Sequence, residues 1–128
     1  VLKQIFLFAA LFWTGVILFF CLESANNIPQ IDIPYLDKVV HAIFHFVFTT
    51  LWFLYLKKKW NSSNSFRPLV FSFIFSFVFG VSIELMQAFF TTTRTADIFD
   101  VLSNVSGASL AVISIILLNT YNKIIDKI

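Results

Sequence analysis

Four apolar stretches divide this chain, at about residues 4–22, 37–56, 68–90 and 97–118. Each holds about 18–22 residues, and a helix needs about 20 to cross the hydrocarbon core of a bilayer. Of the 128 residues, 59% are hydrophobic and 12% charged. A soluble domain has about a quarter of its residues charged, so this chain lacks the polar surface to cover its own core. In lipid every backbone N–H and C=O must be satisfied within the chain, which leaves helices or a closed barrel. The run 71–79, Phe-Ser-Phe-Ile-Phe-Ser-Phe-Val-Phe, alternates as a barrel strand would. A barrel, however, needs many strands of about ten residues, and these runs are twice that length. The expectation is an all-α membrane protein, a single domain over 1–128 built as a bundle of four transmembrane helices.

Basic residues orient it. Lys3 precedes the first span, Lys57, Lys58, Lys59 and Arg67 lie between the second and third, and Lys123 and Lys127 follow the fourth. Lys and Arg are enriched on the cytoplasmic side, so both termini and the middle connection are expected inside, with residues 23–36 and 91–96 outside. The Lys57–Lys59 run reads as an anchor touching anionic lipid. The first run is too long for a signal-peptide core and has no small-residue cleavage site, so no cleavable signal is expected. A single cysteine, Cys21, permits no intrachain disulfide and no cysteine-built metal site, and reads as core packing. No nucleic-acid signature is present.

Against this background the stretch 80–107 is anomalous. It carries Glu84, Gln87, Arg94, Asp97, Asp100 and Asn104 within or beside two spans. A carboxylate near mid-membrane costs roughly 2.5–3.5 kcal/mol on insertion scales, so such residues face a bundle interior or a wet cavity. On a helix Ser72, Ser76, Gly80, Glu84 and Gln87 share one face, as do Asp97, Asp100, Asn104, Gly107, Ala111 and Ser114. Both stripes are polar near the turn and small further along, which allows close backbone approach in lipid. Meeting along these stripes, the third and fourth helices would set Glu84 and Gln87 beside Asp100 and Asn104, with Arg94 on the turn. Asp37 and His41 open the second span at the same end, where the orientation puts the outer face. The first span adds Ala10, Thr14, Ile17, Cys21 and Ser24 at helical spacing, with Glu23 at its outer end. The other half of the bundle is expected to be small and apolar.

The candidate polar cluster is therefore Asp37, His41, Glu84, Gln87, Arg94, Asp97, Asp100 and Asn104, with His45 and Glu23 as possible additions. Asp97 fits a helix cap; Asp100 and Asn104, one and two turns further in, need another explanation. His41 and His45, one turn apart, could hold a metal with carboxylates from neighbouring helices. Glu-x-x-Gln and Asp-x-x-Asp are poor zinc ligand sets, so hydrogen bonds from the imidazoles to Glu84 or Asp100 are expected instead, with no metal and no cofactor. Arg94 serves equally as a snorkelling counter-ion for Glu84 or Asp97 and as a contact for an anionic head group.

These residues resemble the VanZ-like membrane proteins. The family's Asp-Lys-x-x-His is seen as Asp37-Lys38-Val-Val-His41. Its Gly, Glu-x-x-Gln, Arg, Asp-x-x-Asp, Asn and Gly series is seen as Gly80, Glu84, Gln87, Arg94, Asp97, Asp100, Asn104 and Gly107. Trp13 and Ser24 also stand where the family has such residues, and the likeness covers nearly the whole chain. The chain departs from it at His45, where the family often has an aromatic, and at Ala111, where it often has glycine. The resemblance implies a bacterial cytoplasmic-membrane protein associated with resistance to teicoplanin, a lipidated glycopeptide acting at the outer membrane face.

Three functions fit. The first is a non-enzymatic envelope protein that binds a lipid-linked cell-wall intermediate or a lipoglycopeptide among the membrane lipids. The second is an intramembrane enzyme on an envelope lipid, with His41, Glu84 or Asp100 as acid and base, though no nucleophile arrangement is evident. The third is a proton or ion pathway, which the apolar cytoplasmic half disfavours.

Overall fold

A computed structural model describes residues 1–23, 33–61, 63–92, 95–123 and 125. The chain forms helices α1 (Leu2–Leu22), α2 (Leu36–Lys59), α3 (Phe66–Phe90) and α4 (Ile98–Asn122). All four are long and apolar enough to cross a membrane. Only 17–33% of the most apolar window of each is buried, so most of the apolar surface, including Phe8, Phe12, Ile74, Leu85 and Leu110, is turned outward as a lipid-facing surface requires.

All four helices run past the apolar stretches at one end or both, because the backbone ladder continues where the side chains become polar. α2 carries its hydrogen bonds through the lysines until Trp60 N–H bonds Leu56 C=O at 2.9 Å. Across the turn, Arg67 lies over the Trp60 ring, 4.7 Å from its centroid. Asn64 Oδ1 accepts the free Phe66 N–H at the start of α3, and Pro68 falls in the first turn, where its missing N–H removes no helical bond. α4 starts one residue later than its apolar window because Asp97 is the N-cap, its carboxylate accepting Phe99 N–H at 2.9 Å.

Small and polar residues turn inward. On α3 the buried set includes Ser72, Ser76, Gly80, Glu84 and Gln87, the face that four- and three-residue spacing defines. On α1 it is Ala10, Ile17 and Cys21, and on α4 Asp100, Asn104, Gly107, Ala108, Ala111 and Ile115. α2 is the centre of the bundle, packing on all three other helices; α1 reaches α2 and α3 but not α4. The expected α3–α4 pairing exists, but the tightest seam of α4 is with α2. A Cβ at Gly107 would run into the backbone of Ala42. Glycine at this position lets two backbones touch.

Two apolar clusters hold the rest. Ile17, Cys21, Phe48 and Ile83 form one, with Phe48 stacked on Phe79 at 4.7 Å between centroids. Phe53, Leu69, Ile115 and Ile125 form the other, nearer the α2–α3 turn. The interior between is less uniformly apolar than expected, since Thr49 and Ser72 are fully buried there. Lys57 also departs from its reading as a displayed anchor: it is 4% exposed, Lys58 is half-buried, and of the three lysines only Lys59 is exposed. Position 57 falls on the inward stripe His41, His45, Thr49, Phe53, Lys57, spaced every four residues.

Candidate functional site

The first turns of α2 and α4 and the last turns of α3 meet at one end of the bundle. Lys38 organises them. Its Nζ bonds Asp37 Oδ2 at 2.9 Å, Asp97 Oδ2 at 2.7 Å and Asp100 Oδ1 at 2.6 Å. An ammonium has three N–H donors, so these contacts use all of them. Lys38 thereby joins α2 to the start of α4 through charge-assisted bonds, the stronger class of hydrogen bond.

Beneath it, His41 Nε2 lies 3.5 Å from Asp100 Oδ2. Glu84 reaches up from α3, its Oε2 accepting the Asp97 backbone N–H at 2.9 Å. Glu84 Oε1 is buried without a hydrogen-bond partner among the described residues. Ligand atoms of His41, Glu84 and Asp100 all lie within 4.8 Å of one another. Asp97, half-exposed at the rim, has its carboxyl held below the usual carboxylate range by the Lys38 ammonium and by Phe99 N–H. Asp37 sits further out, with its side chain 65% exposed.

The remaining candidates are close by but engaged otherwise. Gln87 points to the opposite wall, its Nε2 donating to Cys21 C=O at 2.6 Å and tying α3 to α1. His45 lies a turn below His41 and pairs its Nδ1 with Ser76 Oγ at 2.8 Å. Asn104 occupies the space a Gly80 side chain would need: a Cβ there would come 2.8 Å from Asn104 Nδ2 and 3.1 Å from His45 Cε1. Asn104 Oδ1 is buried without a partner. Glu23 caps the end of α1, its N–H bonded to Phe19 C=O. Ser24 and Arg94 lie outside the described residues.

Lys38 is the residue missing from the candidate cluster read from the sequence, where it enters only as a member of the Asp-Lys-x-x-His pattern. A signal was present. It stands three residues before His41 and seven before His45, on their helical face, within the Asp-Lys-x-x-His pattern itself.

Among the described residues the cluster sets four carboxylates, Asp37, Glu84, Asp97 and Asp100, against one ammonium and one imidazole. Such a site favours a cationic, amine or hydroxyl partner over a bare anion. A carboxylate and an imidazole at contact distance are also the minimum for acid–base chemistry.

The VanZ/LLP1 family model matches residues 6–119, a span that holds every residue of this cluster. Comparisons with curated proteins and with solved structures give no significant match. With four membrane-type helices and a match over most of its length, the chain is a multi-pass membrane protein belonging to the VanZ/LLP1 family.

Proposed function

We propose that this protein binds the polar head of an amphiphile at the Lys38–His41–Glu84–Asp100 end of the bundle. That end faces the outside of the bacterial cytoplasmic membrane, with both termini in the cytoplasm. Its ligand is a lipid-linked cell-wall intermediate or a lipidated glycopeptide, and binding alters the action of such antibiotics on the cell. The observation that carries this reading is the concentration of ionisable groups of both signs, Lys38, His41, Glu84, Asp97 and Asp100, at one end of the bundle. Against it stands, among the described residues, the single buried ammonium of Lys57 toward the other end. Burying this many charges is expensive, and three well-packed apolar residues would hold helix ends together at least as well. The excess of carboxylate suits the amines and hydroxyls of sugar- and peptide-bearing heads.

The test is the susceptibility to a lipoglycopeptide of otherwise identical cells with and without the gene. A reproducible shift that disappears in the Asp100→Asn variant at equal membrane abundance supports the reading. Identical susceptibility in all three strains removes it.

The contact between His41 and Asp100, with Glu84 adjoining, also favours a second reading, an acid–base enzyme acting on an envelope lipid. Turnover of envelope lipid by the purified protein, absent in His41→Ala, would select it. A proton or ion path ranks last, because Phe53, Leu69, Ile115 and Ile125 close the other end.

A further inference from the structure

We propose that His41, Glu84 and Asp100 form a binding site for one divalent first-row metal ion, of the zinc type, at the centre of the polar cluster. The inference stands on the unused bonding capacity of these side chains, and does not need the amphiphile reading.

Each carboxylate divides its two oxygens between different tasks. Asp100 gives Oδ1 to Lys38 at 2.6 Å and leaves Oδ2 beside His41 Nε2. Glu84 gives Oε2 to the Asp97 backbone N–H at 2.9 Å and leaves Oε1 buried without a partner, in a residue only 4% exposed. The atoms held by Lys38 and the backbone fix how the carboxylates point, as outer-shell bonds do for metal ligands. One ligand atom from each of His41, Glu84 and Asp100, on three different helices, comes within 4.8 Å of the other two.

Among the described residues no other donor serves that gap; the alternative is a proton shared between the Glu84 and Asp100 carboxyls. Lys38 has spent its three donors on Asp37, Asp97 and Asp100, so it cannot reach Glu84 Oε1. His45, the other imidazole, is committed to Ser76. A buried carboxylate oxygen with no donor is costly, and a cation coordinated by all three groups would satisfy it. One nitrogen and two oxygen ligands, drawn from three helices rather than from either motif alone, form an imidazole–carboxylate set that first-row divalent ions accept, Zn²⁺ among them. Three protein ligands leave room for a further one. The set differs from the His41/His45 pair considered from the sequence, because it takes one histidine and draws its carboxylates from two other helices.

The experiment uses the purified full chain in detergent, stripped of metal and titrated with Zn²⁺ alone. Bound ion per chain and thermal stability are followed in wild type, Glu84→Gln and His41→Phe. Glu84→Gln keeps an oxygen for the Asp97 N–H, so its fold provides the check that a lost ion is not a lost bundle. The expected result is one Zn²⁺ per chain with a raised melting temperature, and affinity lower by about tenfold or more in both variants. No stoichiometric uptake by wild type, or unchanged affinity in either variant, overturns the proposal.

Discussion

At one end of the bundle Lys38, His41, Glu84 and Asp100 stand inside a protein wall that faces lipid; at the other, Phe53, Leu69, Ile115 and Ile125 occupy the same inward positions. The same helices supply both ends, and the inward stripe of α2 runs through His41, His45, Thr49 and Phe53 without a break in spacing. Helix periodicity therefore selects which positions face inward but not what chemistry they carry. The apolar end holds together by packing, which needs only shape. The polar end needs matched charges as well. Among the described residues, buried oxygens without partners occur at both ends, Glu84 Oε1 and Asn104 Oδ1 at the polar one, Ser65 Oγ and Asn119 Oδ1 at the other. Of these only Glu84 Oε1 belongs to a carboxylate, whose burial is the costlier kind.

The seam between the ends is the place to break both at once. Gly107→Ala puts a methyl group against the Ala42 backbone, which cannot swing aside as a side chain can. The loss should exceed the ~1–3 kcal/mol usual for overpacking, and the variant should fail to accumulate in membranes by immunoblot. Gly15→Ala, where a Cβ meets nothing within 4 Å, should accumulate normally.

Asp100→Ala attacks the polar end alone. It strips Lys38 of its shortest contact while Asp37 and Asp97 remain, and breaking a buried ion pair costs up to about 3–5 kcal/mol. A drop in melting temperature in detergent is expected, partly restored in the Asp100→Ala/Lys38→Met double variant, which removes the ammonium that has lost one of its three partners. Absence of any recovery would mean that Asp100 packs rather than pairs.

Phe53→Ala attacks the apolar end. Its cavity should cost on the order of 3 kcal/mol, near the low end for a buried phenylalanine because lipid supplies no solvent-transfer gain. Function per folded molecule should be unchanged, and a function lost in proportion beyond abundance would show the two ends to be coupled.

Asp97→Asn should be the mildest. The depressed Asp97 carboxyl contributes stability only above its unfolded-state titration near pH 3.8, and that contribution is lost as pH falls through the lower folded-state value. At neutral pH the amide removes one of three contacts to Lys38 at a half-exposed rim while an oxygen still caps α4. Melting temperature at pH 7 should stay close to wild type, and the wild-type advantage over the variant should shrink as pH falls below 3.8 and vanish once the folded-state carboxyl is protonated.

Much of this was legible before any coordinates. Span number, inward stripes and the convergence of Glu84 and Asp100 follow from hydropathy and from residues three and four apart, because a helix in lipid has few alternatives. What spacing cannot say is which neighbour a face meets. Gln87 shares the stripe of Glu84 yet bonds α1, and the α4 stripe lies closest to α2 rather than α3. Lys38 was hidden by its position at a helix end, where a lone cation among loop carboxylates reads as a matter of orientation. Lys57 misled for the converse reason, since a run of three lysines reads as surface although the helix turns its first member inward.

The central claim is that the charged groups of the polar end serve a ligand, beyond joining helices. Glu84→Gln and Asp100→Asn preserve shape and most hydrogen bonds while removing charge. The decisive measurement is lipoglycopeptide susceptibility of cells carrying wild type or either amide variant, at membrane abundance matched by immunoblot. The account predicts that both variants insert at normal levels and lose the wild-type effect. Full effect in both at normal abundance would contradict it and leave the cluster as structural glue.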